Sequence, residues 1–448
     1  MDTAKSTLIF LSVFLTLCCG QDFHTFVETN DPSNNDIRLT RMVLDPNNGR
    51  LYVGSVNRLY KLTSDLETEE IESTGPRDDN QNCIPPDFVQ CDSTLVSTNN
   101  INKILVIDTD NSQLITCGNV YRGSCETRDM DTLTLIKWYY RQVATTTDGS
   151  TVAIIAHGPN NDNTGVGPNV LYVGRSVVPD EAQWILLSSR LLPSSNNEDP
   201  FTILKDETGN AGFVQVKADF FGVYSDFNID YISVFESNGF TYYVSVQPKV
   251  DTITSGPFVT KIVQICQSCS KYKETYIDLP LTCTGSDGVD YNLAQSAFVT
   301  QAGDDLAEVM NLNDNDNKDI VVVSFAKADQ TSKIPTDKSA VCIYSIKKIR
   351  EKYLEWLDIC ASDPNQPTGC AWSSTALEDL CGNTWLDDVI GVDLCACRDF
   401  GKITCGTKNI TATPCYTSSD SLITAVAAVS HSGHTVIFTG NQDGHLKK

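Results

Sequence analysis

Short apolar runs recur along the chain, each about five to seven β-branched and aromatic residues closed off by Gly, Asn, Asp or Pro, which is the pattern of strands. They stand out at 50–62 (RLYVGSVNRLYKL), 103–118 (KILVIDTDNSQLITCG), 169–177 (NVLYVGRSV), 240–247 (FTYYVSVQ), 319–326 (DIVVVSFA) and 434–448 (HTVIFTGNQDGHLKK). Helical periodicity is clearest at 342–360 (CIYSIKKIREKYLEWLDIC), where Ile346, Ile349, Tyr353 and Leu357 recur at helical spacing. Within the strand pattern lies a weak repeat. Gly54 follows LYV and precedes Tyr60 and Lys61 by six and seven residues, and Gly440 follows IFT with Leu446 and Lys447 at the same offsets. Gly118 follows LITC and Gly174 follows LYV, so the first three glycines lie about 60 residues apart. That spacing predicts four-stranded units repeated radially, a β-propeller of about seven blades in a chain of this length. Each of these glycines is expected at a turn with positive φ, and the two chain ends are expected to close one blade, with 21–40 as the closing strand and its lead-in.

Composition narrows the function. The 448 residues are 41% hydrophobic and 20% charged, an ordinary globular balance. Against 33 Lys+Arg stand 57 Asp+Glu, a net charge of −24 that argues against nucleic acid or anionic lipid as a partner. Residues 1–20 read as a secretion signal, with Lys5 in a polar start, an apolar run at 7–17 too short to span a membrane, and small residues up to Gly20. Seventeen cysteines then fit an oxidising compartment, and removal of 1–20 leaves an odd number, fifteen. Cys83/Cys91 and Cys117/Cys125 are each eight apart across turn-rich sequence, short enough for local staples.

Several strings together resemble the opening of a plexin sema domain: LYVGSVNRLYKL, TGPRDDNQNCIPPDFVQC (74–91), STNNINKILVID (97–108) and LITCGNVYRGSC (114–125). The resemblance continues in LSSRLL (187–192), TKIVQIC (260–266), SAVCIYSIKKIREK (339–352) and residues 422–448, and so covers nearly all of the chain after 1–20. Semaphorins and the hepatocyte growth factor receptor share the fold, but the strings look like plexin. The resemblance implies an all-β, seven-bladed propeller over 21–448 with a partly helical extrusion in blade five at about 342–400. It implies the extracellular ligand-binding domain of a single-pass plasma-membrane receptor for semaphorins. A secreted semaphorin-like or homophilic adhesion protein is the alternative. It also implies disulfides Cys83–Cys91, Cys117–Cys125, Cys266–Cys381, Cys283–Cys342 and Cys360–Cys370, leaving Cys269, Cys395, Cys397, Cys405 and Cys415 for two further bonds and one unpaired thiol. The ligand surface is expected near the insertion 196–213 (NNEDPFTILKDETGNAGF), with Asp206 and Glu207 as candidates.

Other chemistry is weaker. CQSC (266–269) follows a strand-like run with no helix after it, so a disulfide reading outweighs a redox motif or, with CAC (395–397), a zinc site. HSGH (431–434) reads as a hairpin turn, and NLNDNDNKD (311–319) lacks the glycine and glutamate of a calcium loop. No nucleophile elbow or zinc-protease motif occurs, and five histidines assemble no catalytic set, so the expectation is a binding module without cofactor, metal or small-molecule substrate. The sequon at Asn409 is expected to be glycosylated. A co-receptor or self-association is left open.

Overall fold

The computed structural model of the chain describes residue 26 and residues 38–83, 94–146, 148–159, 166–177, 185–194, 199–205, 212–215, 227–249, 257–269, 275–313, 317–328, 332–363 and 404–448. The chain divides into two compact units, Met1–Ile155 with Leu192–Thr202 and Ala156–Leu191 with Ile203–Lys448.

In the first unit, β1 (Leu39–Leu44), β2 (Leu51–Ser55), β3 (Arg58–Leu62) and β4 (Thr68–Ser73) pair in chain order as an antiparallel meander. All five residues of β2 are buried, which places it in the sheet interior with both faces covered. Its alternate side chains serve two cores: Leu51 and Val53 pack with Tyr60 and Leu62, and Tyr52 packs with Leu59, Leu105 and Leu114. A ribbon of β5 (Arg77–Asp79) and β6 (Val96–Thr98) leads to a second meander, β7 (Asn102–Asp108), β8 (Gln113–Gly118), β9 (Cys125–Asp129) and β10 (Leu135–Tyr139), with the one-turn element α1 (Val120–Gly123) between β8 and β9.

Strand β11 (Thr151–Pro159) leads into the second unit, where β12 (Val166–Arg175), β13 (Ile185–Leu191) and β14 (Phe213–Gln215) follow it in order. Next come β15 (Asp230–Ser237), β16 (Phe240–Pro248), β17 (Phe258–Cys266), β18 (Ile277–Thr284) and the short β19 (Asp290–Tyr291), again antiparallel. A further sheet holds β20 (Leu293–Gln301), β21 (Asp319–Ala328) and β22 (Pro335–Ser345), with helix α2 (Asp304–Val309) after β20 and helix α3 (Ile346–Ser362) after β22. The returning chain lays β23 (Thr404–Cys405) and β24 (Ile410–Ala412) parallel to β18, and β25 (Tyr416–Ser418) against β22. The last sheet is β26 (Ile423–His431), β27 (His434–Asn441) and β28 (Leu446–Lys447).

Three expectations are corrected by these positions. Six meander sheets stand among the described residues where seven blades were expected. Of 21–40, expected to hold a closing strand and its lead-in, Leu39 and Thr40 belong instead to β1, which runs antiparallel to β2, while 21–25 and 27–37 lie outside the described residues. Gly54, Gly118, Gly174 and Gly440 lie within strands β2, β8, β12 and β27 and none is at positive φ. What the first three answer to is close approach. A Cβ on Gly54 would lie 2.6 Å from the Asn102 side chain, one on Gly118 would lie 1.7 Å from Asn100 Oδ1, and one on Gly174 would lie 3.0 Å from the Tyr243 ring.

The helical segment also starts later than its periodicity suggested. Cys342 to Ser345 finish strand β22, and the Ser345 hydroxyl accepts from Lys348 N at 3.2 Å to cap α3. Ile346, Ile349, Tyr353 and Leu357 are buried as the spacing predicts, joined by Trp356 and Cys360. They pack into the core of the neighbouring sheets with Tyr242, Ile262, Leu279 and Phe325, and Tyr353 OH donates to the Ile262 carbonyl at 2.8 Å.

Candidate protein-binding surface

The stem of the 196–213 insertion is tied to β13. Ile203 bridges to Arg190, Leu204 N donates to the Ser189 carbonyl at 2.9 Å, and Gly212 N donates to the Leu204 carbonyl at 2.8 Å. Ser189 N in turn donates to the Gly212 carbonyl at 3.2 Å, so residues on both sides of 206–211 return to one point on the strand. Asp206 and Glu207 themselves lie outside the described residues. Upstream in the insertion, Asp199 takes a two-point ion pair from Arg141, with Nε at 3.0 Å and Nη2 at 2.5 Å. Phe201 is fully buried with its ring 5.3 Å from that of Tyr139.

The staple expected at Cys117 and Cys125 is the base of an aromatic cluster that was not singled out from the sequence. Cys117 and Cys125 face each other on β8 and β9 and are disulfide-bonded with Cα atoms 4.0 Å apart. The disulfide closes a turn in which Tyr121, Arg122 and Gly123 have φ of 50°, 61° and 77°. Left-handed backbone at two non-glycine residues is costly and has to be held from outside. Here Tyr121 N donates to Asp79 Oδ2 at 3.0 Å, Ser124 Oγ donates to the Tyr121 carbonyl at 2.5 Å, and Val143 N and Ala144 N both donate to the Gly123 carbonyl at 3.0 Å. Burial pushes the Asp79 carboxyl up, opposed by the backbone donors at Tyr121 and Asn80. The turn sets the Tyr121 ring edge-on to Trp138 at 5.2 Å and to Tyr140 at 6.0 Å, while Trp138 and Tyr140 lie nearly parallel at 6.1 Å. The signal in the sequence was the run IKWYYR beside the Cys117/Cys125 staple.

The remaining candidates are dispersed. Cys283 and Cys342 are bonded across β18 and β22, and Cys83, Cys266, Cys269 and Cys360 each take part in a disulfide. Cys91, Cys370, Cys381, Cys395 and Cys397 lie outside the described residues, as does 1–20. Cys415 is free and exposed, its Sγ 3.3 Å from the Val341 carbonyl oxygen. Asn409 is exposed in the connection between β23 and β24. His431 and His434 flank a hairpin turn with Ser432 and Gly433 at positive φ, and His434 Nδ1 lies 3.0 Å from Asp305 Oδ2. In the 311–319 segment the Asn317 side chain is occupied by Asp319 N and Ser237 Oγ. Among the described residues no group of three or more His, Cys, Asp or Glu could hold a metal ion, and no helix is long and apolar enough to cross a membrane.

Comparison with known proteins gives this arrangement its relatives. The Sema domain family model matches residues 294–448. Plexin-A2 of Homo sapiens is 29% identical in an alignment covering 100% of this chain and 24% of that protein, so the chain spans about a quarter of the curated relative's length. The solved extracellular region of plexin A4 superposes with a TM-score of 0.77 at 27% identity, covering 92% of this chain and 44% of that one. A chain of the solved complex of Drosophila Plexin A with Semaphorin 1b shares the fold at a TM-score of 0.51 and 13% identity, covering 92% of this chain and 73% of that one. The chain thus carries Sema-domain sequence at 294–448 and is plexin-like over its length, with an all-β propeller fold of the sema type.

Proposed function

We propose that the chain is the extracellular ligand-binding portion of a plexin-type semaphorin receptor, recognising its partner by protein–protein contact without catalysis, cofactor or metal. The observation that carries this reading is the likeness to Plexin-A2 along the whole chain together with the superposition on plexin A4. The plexin solved with a semaphorin supports the partner class. In this reading the extrusion begins at the helix α3. Asn409 carries a glycan, and the bonds Cys83–Cys91, Cys266–Cys381 and Cys360–Cys370 complete the framework. The ligand meets the insertion at 196–213, where Asp206 and Glu207 steer association with a basic partner surface.

Surface plasmon resonance tests it, with semaphorin ectodomains and the domain itself immobilised in separate channels. Semaphorin binding that weakens with salt, and slower association for Asp206→Lys with Glu207→Lys, are the expected results. No binding to any semaphorin, with micromolar self-association, overturns the receptor reading in favour of homophilic adhesion.

A further inference from the structure

The final strand of each meander presents an edge that a β-rich protein must shorten, charge or cover to avoid unwanted pairing. Among the described residues, five of these six final strands are treated in one of those ways. Strand β4 carries Glu69, Glu70 and Glu72. Strands β14 and β25 have three residues each and β28 has two. The edge of β18 is covered by β23 and β24 in parallel.

Strand β10 differs. Its five residues, LIKWY, end their sheet and pair with β9 alone among the described residues. Leu135 is 41% exposed, Ile136 50% and the following Tyr140 37%. The register slips between Leu135 and Lys137, so Ile136 is the extra residue of a bulge. Next to this edge stand Trp138, Tyr140 and Tyr121, with Tyr121 held in its left-handed turn by the Cys117–Cys125 bond. A rigid aromatic cluster at an open edge presents contact area with little rotamer entropy left to lose.

Charge selects the occupant. Residues 132–146 contain two basic residues, Lys137 and Arg141, and no acidic one, in a chain whose net charge is −24. Arg141 is engaged by Asp199, whereas the Lys137 side chain is exposed with its ammonium 5.1 Å from the Tyr139 ring centre. Arg122, in the turn beside the aromatic cluster, adds a second positive charge. We propose that the β10 edge, flanked by Tyr121, Trp138 and Tyr140, docks an extended acidic segment of another protein by antiparallel strand addition. Main-chain hydrogen bonds to β10 supply the affinity, and acidic side chains facing Lys137 and Arg122 supply the preference. The 196–213 insertion touches the end of this strand, where Asp199 pairs with Arg141 and the Phe201 ring meets Tyr139, so the test substitutions are placed at Lys137 and Trp138 rather than at those contacts.

The test uses the whole chain and labelled short peptides of alternating valine and glutamate, the same peptide with lysine for glutamate, and the glutamate peptide N-methylated at alternate residues, all read by fluorescence anisotropy. The glutamate peptide should bind about tenfold more tightly than either control. Lys137→Glu should reverse the charge preference, and Trp138→Ala should weaken binding about tenfold by removing part of the cluster. Because Lys137 is exposed, Lys137→Glu should leave the thermal unfolding temperature unchanged, which keeps a lost preference distinguishable from a lost fold. Equal binding of the N-methylated peptide removes strand addition. A charge preference untouched by Lys137→Glu removes β10 as its site. Self-association abolished by Lys137→Glu, with no peptide bound, would replace the acidic segment by a second copy of the chain.

Discussion

Cys283 of β18 and Cys342 of β22 are joined by a disulfide, their Cα atoms 5.9 Å apart, so one covalent bond ties two neighbouring sheets across a sequence separation of 59. Cys117 and Cys125 are joined across one hairpin with a separation of only 8. Loop-closure entropy makes the longer bond worth roughly 4 kcal/mol and the shorter roughly 2.5 kcal/mol. Replacing Cys283 and Cys342 by Ser should therefore lower the unfolding temperature more than replacing Cys117 and Cys125. Differential scanning calorimetry decides the order, and a larger loss from the hairpin pair would mean that its left-handed turn, and not chain entropy, governs stability.

The repeated glycines separate into two kinds. At Gly118 an added methyl meets Asn100, which is itself fixed by its Nδ2 bond to the Thr74 carbonyl at 3.1 Å. Gly440 has ordinary room, with Ala425 Cβ 3.5 Å from the position of an added Cβ. Gly118→Ala should cost about 1–3 kcal/mol by overpacking, and Gly440→Ala no more than about 0.5 kcal/mol. Urea denaturation of the two variants measures the difference. Similar costs would show that backbone freedom, and not close approach, holds these glycines.

Much of the strand pattern was legible because β2, β8, β16 and β21 are apolar runs bounded by turn residues, and tertiary packing reinforces the local preference of those side chains. The start of α3 was misplaced because Ile343 and Tyr344 continue the helical apolar spacing while answering to β21 by strand pairing. Strands β23 and β24 could not be read at all, being two and three residues long and defined by their parallel partner β18, far away in sequence. The aromatic cluster was hidden for a similar reason: only the turn at Tyr121 brings that ring to Trp138 and Tyr140. Motifs located the cysteines well, since a staple between adjacent strands needs only short spacing, as at Cys117 and Cys125.

Lys261 and Asp278 form a buried ion pair, Nζ to Oδ1 at 3.0 Å, and Tyr276 OH donates to the other carboxylate oxygen at 2.8 Å. Burial pushes the Asp278 carboxyl up, against the Lys261 ammonium and the Tyr276 hydroxyl. Lys261→Met strands that carboxylate and should cost about 3–5 kcal/mol near neutral pH. Without the ammonium the carboxyl rises further, so the folded chain binds its proton more tightly than the unfolded chain does. Stability arising from that proton is present at low pH and is lost as pH rises through the folded value. The deficit of Lys261→Met should therefore shrink on going from pH about 7 to about 5. A deficit equal at both values would show that lost packing, and not the stranded charge, is the cause.

Cys415 offers the last test, because among the described residues it is a cysteine without a disulfide. The residue is exposed, but its thiol is partly buried and donates to the Val341 carbonyl at 3.3 Å, at the start of the segment that pairs β25 with β22. Desolvation around the sulfur pushes its pKa up, so the thiolate is scarcer at neutral pH than for an ordinary thiol. Maleimide should label the native protein at Cys415 more slowly than it labels a small thiol near pH 7. The rate should rise about tenfold per pH unit until the raised pKa is passed, since only the thiolate attacks. Peptide mapping after labelling should place the adduct at Cys415, and Cys415→Ser should abolish labelling without changing the unfolding temperature. An adduct at Cys395 or Cys397 would move the odd thiol into the segment before β23, and labelling faster than the small thiol would show that the Val341 contact does not hold the proton on sulfur.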